Sequence, residues 1–394
     1  MALAYTVLMA FGTAPAPLWP LYAERDGFGP TAITVVFAML AVGAAVGFLG
    51  LGHLSDRLGR RRVVVAALAV AVGAALLLTW WEGLAGLVVG RLLNGVGIGL
   101  MASTATAYLH DLYARAHPRT ARSGLPEAVA TASGLGGLAL GPLVAGAVAV
   151  GVPHPLTATQ SGFAAALAVC LLLALLTPET VEVGRATRFR PARFALRPGA
   201  RRLYISAVGF GFCSFALFGL VTALGAVLLH TEFHVSSAFV AGLAPFLMFS
   251  AAALAELALA PLPPRRLLAA GIAAFSLGLA LVALSVHETG LWLFLTATAV
   301  AGAGGGVLFT VCVARSVAAA APASRAGVLA VSFVAAYAGL GLPVVLFSVL
   351  VHHWGTPVTM VCFAAALVAG VAASAGATAR RSGVASGFSG PPYA

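Results

Sequence analysis

The sequence predicts an all-α polytopic membrane protein, with twelve transmembrane helices in two pseudo-symmetric six-helix bundles. Three observations carry this expectation. The chain of 394 residues is 61% hydrophobic and only 8% charged, against about 25% charge in soluble domains, so lipid must cover much of its surface. Apolar stretches of about 20 residues, the length that crosses the hydrocarbon core, recur along the whole chain. The basic residues are all arginine, and all but Arg25 and Arg91 lie in, or at the edge of, every second gap between those stretches. That is the positive-inside pattern of a chain threaded repeatedly through a membrane.

Taken in order, the spans fall near 3–22, 31–52, 63–81, 84–108, 124–150 and 160–177, then 203–229, 237–260, 266–286, 290–313, 324–350 and 357–379. The first apolar run begins almost at Met1 without a basic leader or a small-residue cleavage site, and reads as a retained helix rather than a signal peptide. Arg57 to Arg62, Arg115 to Arg122, Arg185 to Arg202, Arg265 and Arg266, Arg315 and Arg325, and Arg380 and Arg381 mark the cytoplasmic gaps. Glu24, Asp26, Glu82, Glu232 and Glu288 lie in the opposite gaps. Both termini are expected in the cytoplasm of a bacterial plasma membrane. The organisation reads as a bundle over 1–177, a basic linker over 178–202 with short helices against the headgroups, a second bundle over 203–379 and a disordered tail over 380–394. Two bundles flanking a central route is the plan of a carrier.

The composition also excludes. A net charge of +11 would suit nucleic acid, but the arginines sit in short loops beside apolar spans. Cys170, Cys213, Cys312 and Cys362 are widely spaced within apolar stretches and read as small buried hydrophobes. The histidines at 230, 234, 287, 352 and 353 read as surface residues, so no metal or other cofactor is expected. No phosphate-binding glycine loop with its lysine exists to drive ATP hydrolysis, and no catalytic constellation marks an enzyme. Nucleic acid is excluded as a partner. The expected partners are membrane lipid and a small-molecule substrate, and the expected working unit is a monomer.

The strongest local signal is Gly52-His-Leu-Ser-Asp56-Arg57-Leu-Gly59-Arg60-Arg61-Arg62 between spans 2 and 3. Its order of glycine, carboxylate and arginines closely resembles the loop signature of the major facilitator superfamily. The resemblance implies a conformational latch of Gly52, Asp56, Arg57, Gly59, Arg60 and Arg61, with Asp111 at the end of span 4 as acidic partner. The corresponding loop of the second half, Glu256 to Arg266, keeps two arginines and loses the rest.

Inside span 4, Arg91 lies about two turns deep with Asn94 one turn further on. An intramembrane arginine is costly and marks function, and this stretch resembles the family's span-4 arginine motif, which implies proton coupling. From the residues alone, Arg91 serves to hold an internal carbonyl, to tune a nearby acid or to meet an anionic substrate. In span 5, Gly137, Gly141, Pro142 and Gly146 resemble the antiporter motif of the drug–proton branch, with Ala145 in place of one glycine, and form a hinge. Span 1 lacks the carboxylate common in that branch. Glu127 and Glu256 are therefore the candidates for a titrating group driven by a transmembrane proton gradient. Trp19, Phe215, Phe246, Phe249 and Tyr337 are the candidate cavity wall. An apolar, aromatic wall with few polar anchors suits a lipophilic or amphipathic molecule, and proton-coupled efflux of such a compound is the expected function. Uptake of a small metabolite, such as an organic acid met by Arg91, is the alternative.

Overall fold

The computed structural model describes residues 1–51, 58–118, 124–181 and 194–379. It contains twelve helices long and apolar enough to cross a membrane. They are α1 (Ala2–Asp26), α2 (Pro30–Leu49), α3 (Arg60–Trp80), α4 (Leu84–Ala116), α5 (Leu125–Gly151) and α6 (Pro155–Leu176), followed by α7 (Arg201–Thr231), α8 (Ala238–Leu259), α9 (Pro264–His287), α10 (Leu291–Ala319), α11 (Pro322–Trp354) and α12 (Thr356–Ala377). Hydrocarbon offers no hydrogen bonds to an open backbone, so helices that satisfy their own amides are what such apolar runs must form.

The expected spans appear in order. The main differences are at ends where a helix outlasts its apolar stretch. α4 runs on past the apolar stretch through His110, Asp111 and Arg115, and α10 continues through Arg315. Hydropathy stops where the hydrocarbon stops, whereas a helix continues until its backbone is capped.

The helix pairings repeat with an offset of six. α2–α4, α3–α4, α1–α5, α3–α6, α1–α4 and α1–α6 recur as α8–α10, α9–α10, α7–α11, α9–α12, α7–α10 and α7–α12. The two halves meet along two seams, α5–α8 and α2–α11. Small residues set how closely these pairs approach. In the α2–α4 pair a Cβ at Gly95 would collide with the carbonyl oxygen of Leu40, and one at Gly43 with that of Leu92.

Among the described residues, one end of the first bundle carries Arg60, Arg61 and Arg115 around Glu179. At the other end Trp80, Trp81, Trp292 and Trp354 are exposed, as an aromatic belt at a membrane interface requires. Most of the expected linker, where the sequence suggests short helices, lies outside the described residues; its stretch from Phe194 to Ala200 is extended and turned, and is tied to the α10–α11 connection. Arg197 N donates to Ala319 O at 2.9 Å and Ala321 N to Ala195 O at 3.0 Å.

Candidate functional site

At the arginine-rich end, three helix ends of the first bundle converge on Glu179, just beyond α6. Its carboxylate accepts from the backbone N–H groups of Arg60 (2.8 Å) and Arg61 (3.1 Å) at the start of α3. Free N–H groups at a helix start favour an acid there. Gly59 makes the approach possible: its φ is +100°, and a Cβ would collide with the Glu179 carboxylate. Arg60 Nε also reaches Asp111 Oδ2 on α4 at 3.2 Å, and Thr180 Oγ1 donates to the same oxygen at 3.2 Å. Arg115 clamps the carbonyls of Glu179 and Thr180 at 2.7 and 2.6 Å, while Tyr108 donates to Pro178 O at 2.7 Å. Of the expected latch, Gly59, Arg60, Arg61 and Asp111 therefore come together. Gly52, Asp56 and Arg57 lie outside the described residues. The sequence Pro178-Glu179-Thr180 resembles the family's close of span 6, but sequence reasoning gave Glu179 no place in the latch, since its partners Arg60 and Arg61 lie more than a hundred residues away.

Deeper in the same bundle α1 is broken. Its first segment ends at Thr13, a short 3-10 turn spans Ala16–Leu18, and helix resumes at Trp19. Pro15 and Pro17 lack the N–H groups that would continue the ladder. Arg91, 1% exposed, donates from Nη1 to Gly12 O at 2.9 Å. Asn94, fully buried, donates from Nδ2 to Phe11 O at 3.4 Å. Among the described residues no carboxylate pairs with Arg91. Its guanidinium lies 5.9 Å from the Trp19 ring centroid and 5.8 Å from that of Phe37. Of the roles open to Arg91, an internal carbonyl is the one this geometry presents.

At the tryptophan-bearing end the halves are sealed by buried contacts. Trp19 Nε1 donates to Thr222 O on α7 at 3.2 Å, and Thr34 on α2 shares a 2.9 Å hydrogen bond with Ser348 on α11. Trp19 is thus a plug at the seam rather than an open cavity wall. Toward the arginine-rich end, rings of the two bundles pack on one another. Phe48 on α2 stacks on Phe333 at 4.8 Å and meets Tyr337 at 5.6 Å, and Phe215 touches Tyr337 and Phe309. Of the expected cavity wall, Phe215 and Tyr337 thus touch one another. Phe249 packs on Phe218 inside the second bundle, and Phe246 packs against the core.

Glu256 of α8 is half-buried. Thr310 on α10, whose hydroxyl donates to Gly306 O, and Thr131 on α5 lie near its carboxylate, as does Tyr5. Glu256 forms no ion pair among the described residues, and Arg265 and Arg266 are exposed. Glu127, the other carboxylate candidate, is exposed in the first turn of α5. There it favours the helix start and lacks the burial that coupling needs. The glycine run of α5 is accounted for by close contacts: Cβ atoms at Gly137 and Gly141 would strike carbonyls of Thr6 and Ala10 on α1, and one at Gly146 would strike that of Ala238 on α8. Pro142 lies within the helix, its carbonyl opposite Gly242.

A family model described as Major Facilitator Superfamily matches residues 1–262. The chain is 38% identical over 93 residues to a protein named glucose transporter GlcP from Staphylococcus epidermidis, the match covering 24% of this chain and 19% of that protein. It is 34% identical over 88 residues to a probable glucose transporter, rco-3, of Neurospora crassa, covering 22% of this chain and 15% of that protein. The matches thus span a fifth or less of those relatives. Among solved structures, the nucleoside transporter NupG superposes with a TM-score of 0.73 at 15% identity, covering 96% of this chain and 98% of that one. The human organic anion transporter MFSD10 superposes at 0.62 with 18% identity, covering 95% and 97%. At these identities the structural likeness establishes the fold alone.

Proposed function

The chain belongs to the Major Facilitator Superfamily, and from that premise we propose that it takes up a small, neutral, hydroxylated ring compound, of the sugar or nucleoside class, by proton symport. It is a secondary transporter and not an enzyme. One observation carries the finer reading: Glu256, a half-buried carboxylate with no ion pair among the described residues, lies near threonines of both bundles, Thr131 on α5 and Thr310 on α10. Hydroxyl-rich substrates need acceptors and donors, which Glu256, Thr131, Thr310, Tyr5 and Tyr337 supply, while Phe215 and Phe309 offer faces for a ring. The wall is more polar than the aromatic residues alone implied, which favours the uptake alternative over extrusion of a lipophilic compound. The names of the relatives, a glucose transporter, a probable glucose transporter and a nucleoside transporter, point the same way.

Glu256 is the proposed proton carrier. Such a group must alternate between water and a drier setting to bind and release its proton, and this one changes surroundings as the bundles rock about the substrate. The arginine-rich end is the proposed cytoplasmic face. The α5 glycines fit helix against helix and carry no information on direction of transport.

The test is uptake into proteoliposomes under an imposed inward proton gradient, with labelled glucose, uridine, benzoate and tetraphenylphosphonium side by side. Gradient-driven accumulation of glucose or uridine, abolished in Glu256→Gln while exchange persists, is expected. Proton-driven movement of tetraphenylphosphonium alone would replace this reading with efflux.

A further inference from the structure

Arg91 and the proline pair of α1 account for one another. A helix leaves its last four carbonyls without partners, and the segment ending at Thr13 does so in the interior of a membrane bundle. Ala10 O is met by Ala14 N at 2.9 Å and by Thr13 Oγ1 at 3.3 Å. Phe11 O is met by Asn94, and Gly12 O by Arg91. The residues of α4 thus supply the donors that the break in α1 removes. These bonds do not exhaust the two side chains, since Arg91 Nε and Asn94 Oδ1 remain buried without partners. Beyond the break, Trp19 lies between Arg91 and α7, its ring facing the guanidinium and its Nε1 bonded to Thr222 O. A continuous contact therefore runs from α4 through the break to the seam between the bundles.

We infer that Arg91 is a positioning residue for the seal at the tryptophan-bearing end: with Asn94 it holds the broken first helix, and through that helix it seats Trp19 against α7. Its charge is retained for donor geometry, a fork that reaches a carbonyl while lying beside a ring, and it takes no part in proton transfer. The inference rests on the two-bundle fold alone. Its failure would leave the substrate and Glu256 readings untouched, and theirs would leave it untouched.

The consequence is epistasis. Pro15→Ala with Pro17→Ala returns two N–H groups to α1 and lets the helix run through, so the carbonyls of Phe11 and Gly12 find donors in their own backbone. Arg91 should then be dispensable. The seal is read by a cysteine at position 34, because Thr34 is fully buried against Ser348. The assay uses Thr34→Cys in a Cys362→Ser background, since Cys362 is exposed and the other three cysteines are buried. Purified full-length protein in detergent is treated with a water-soluble maleimide. Arg91→Ala and Trp19→Phe should each label about ten-fold faster, as a local opening becomes easier. In the double-proline background, Arg91→Ala should label no faster than its own parent. Equal labelling of Arg91→Ala and parent in the native background would overturn the inference. So would an effect of Arg91→Ala that survives removal of the prolines. If Arg91→Ala does not yield monodisperse protein, Arg91→Lys and Asn94→Leu take its place, with the same two comparisons deciding.

Discussion

The two bundles share a fold but fasten their arginine-rich ends with different chemistry. In the first, charged side chains do the fastening: Glu179 caps α3, Arg60 meets Asp111, and Arg115 clamps the end of α6. In the second, no carboxylate takes part among the described residues, and arginines meet hydroxyls and backbone. Arg315 donates to Ser206 Oγ at 2.7 Å and lies over the Phe210 ring. Ser332 bridges Ser316 and Val328 O, and the linker at Leu196–Arg197 pairs with the α10–α11 connection. The difference follows the sequence, since the second-half loop lost its carboxylate and glycine pattern. It implies that the first half, with its Arg60–Asp111 ion pair, is the more sensitive to salt.

Mutations can break this comparison. The largest effect is expected from Glu179→Ala, which removes a charged acceptor from several backbone N–H groups at once. Hydrogen bonds to charged groups contribute about 1.5–3 kcal/mol each where burial is good, and thermal unfolding in detergent should show a loss of several degrees. A drop no greater than that of Ser332→Ala would erase the contrast. Ser332→Ala itself should cost about 1 kcal/mol, the usual worth of a buried neutral hydrogen bond. Asp111→Asn should cost less, about 0.2–1 kcal/mol, because its pair with Arg60 is partly exposed. The smallest and sharpest test is ionic strength. Added salt should shrink the Asp111→Asn penalty through screening while leaving the Ser332→Ala penalty unchanged; equal responses would show that the two ends are not chemically distinct.

The twelve spans were legible because hydrophobicity and arginine placement act locally along the chain. So was half of the latch, since Arg60 and Asp111 lie at helix ends that short loops bring to the same face. Glu179 was not legible, because nothing near it in sequence asks for a carboxylate; the demand comes from α3. The prolines of α1 and the depth of Arg91 were each visible, yet their pairing depends on how α1 crosses α4. The polar neighbours of Glu256 were also hidden. Thr131 and Thr310 look like ordinary membrane threonines until both lie near Glu256.

The placement of the tryptophans gives the protein its own optical reporter. Of its five tryptophans, Trp80, Trp81, Trp292 and Trp354 are 50–78% exposed and Trp19 only 1%. In detergent, an aqueous quencher such as iodide should extinguish most of the intrinsic fluorescence and leave a residual emission from the indole at the seam. A change in that protected fraction when a ligand is added would follow the meeting of the two bundles directly, with no label attached.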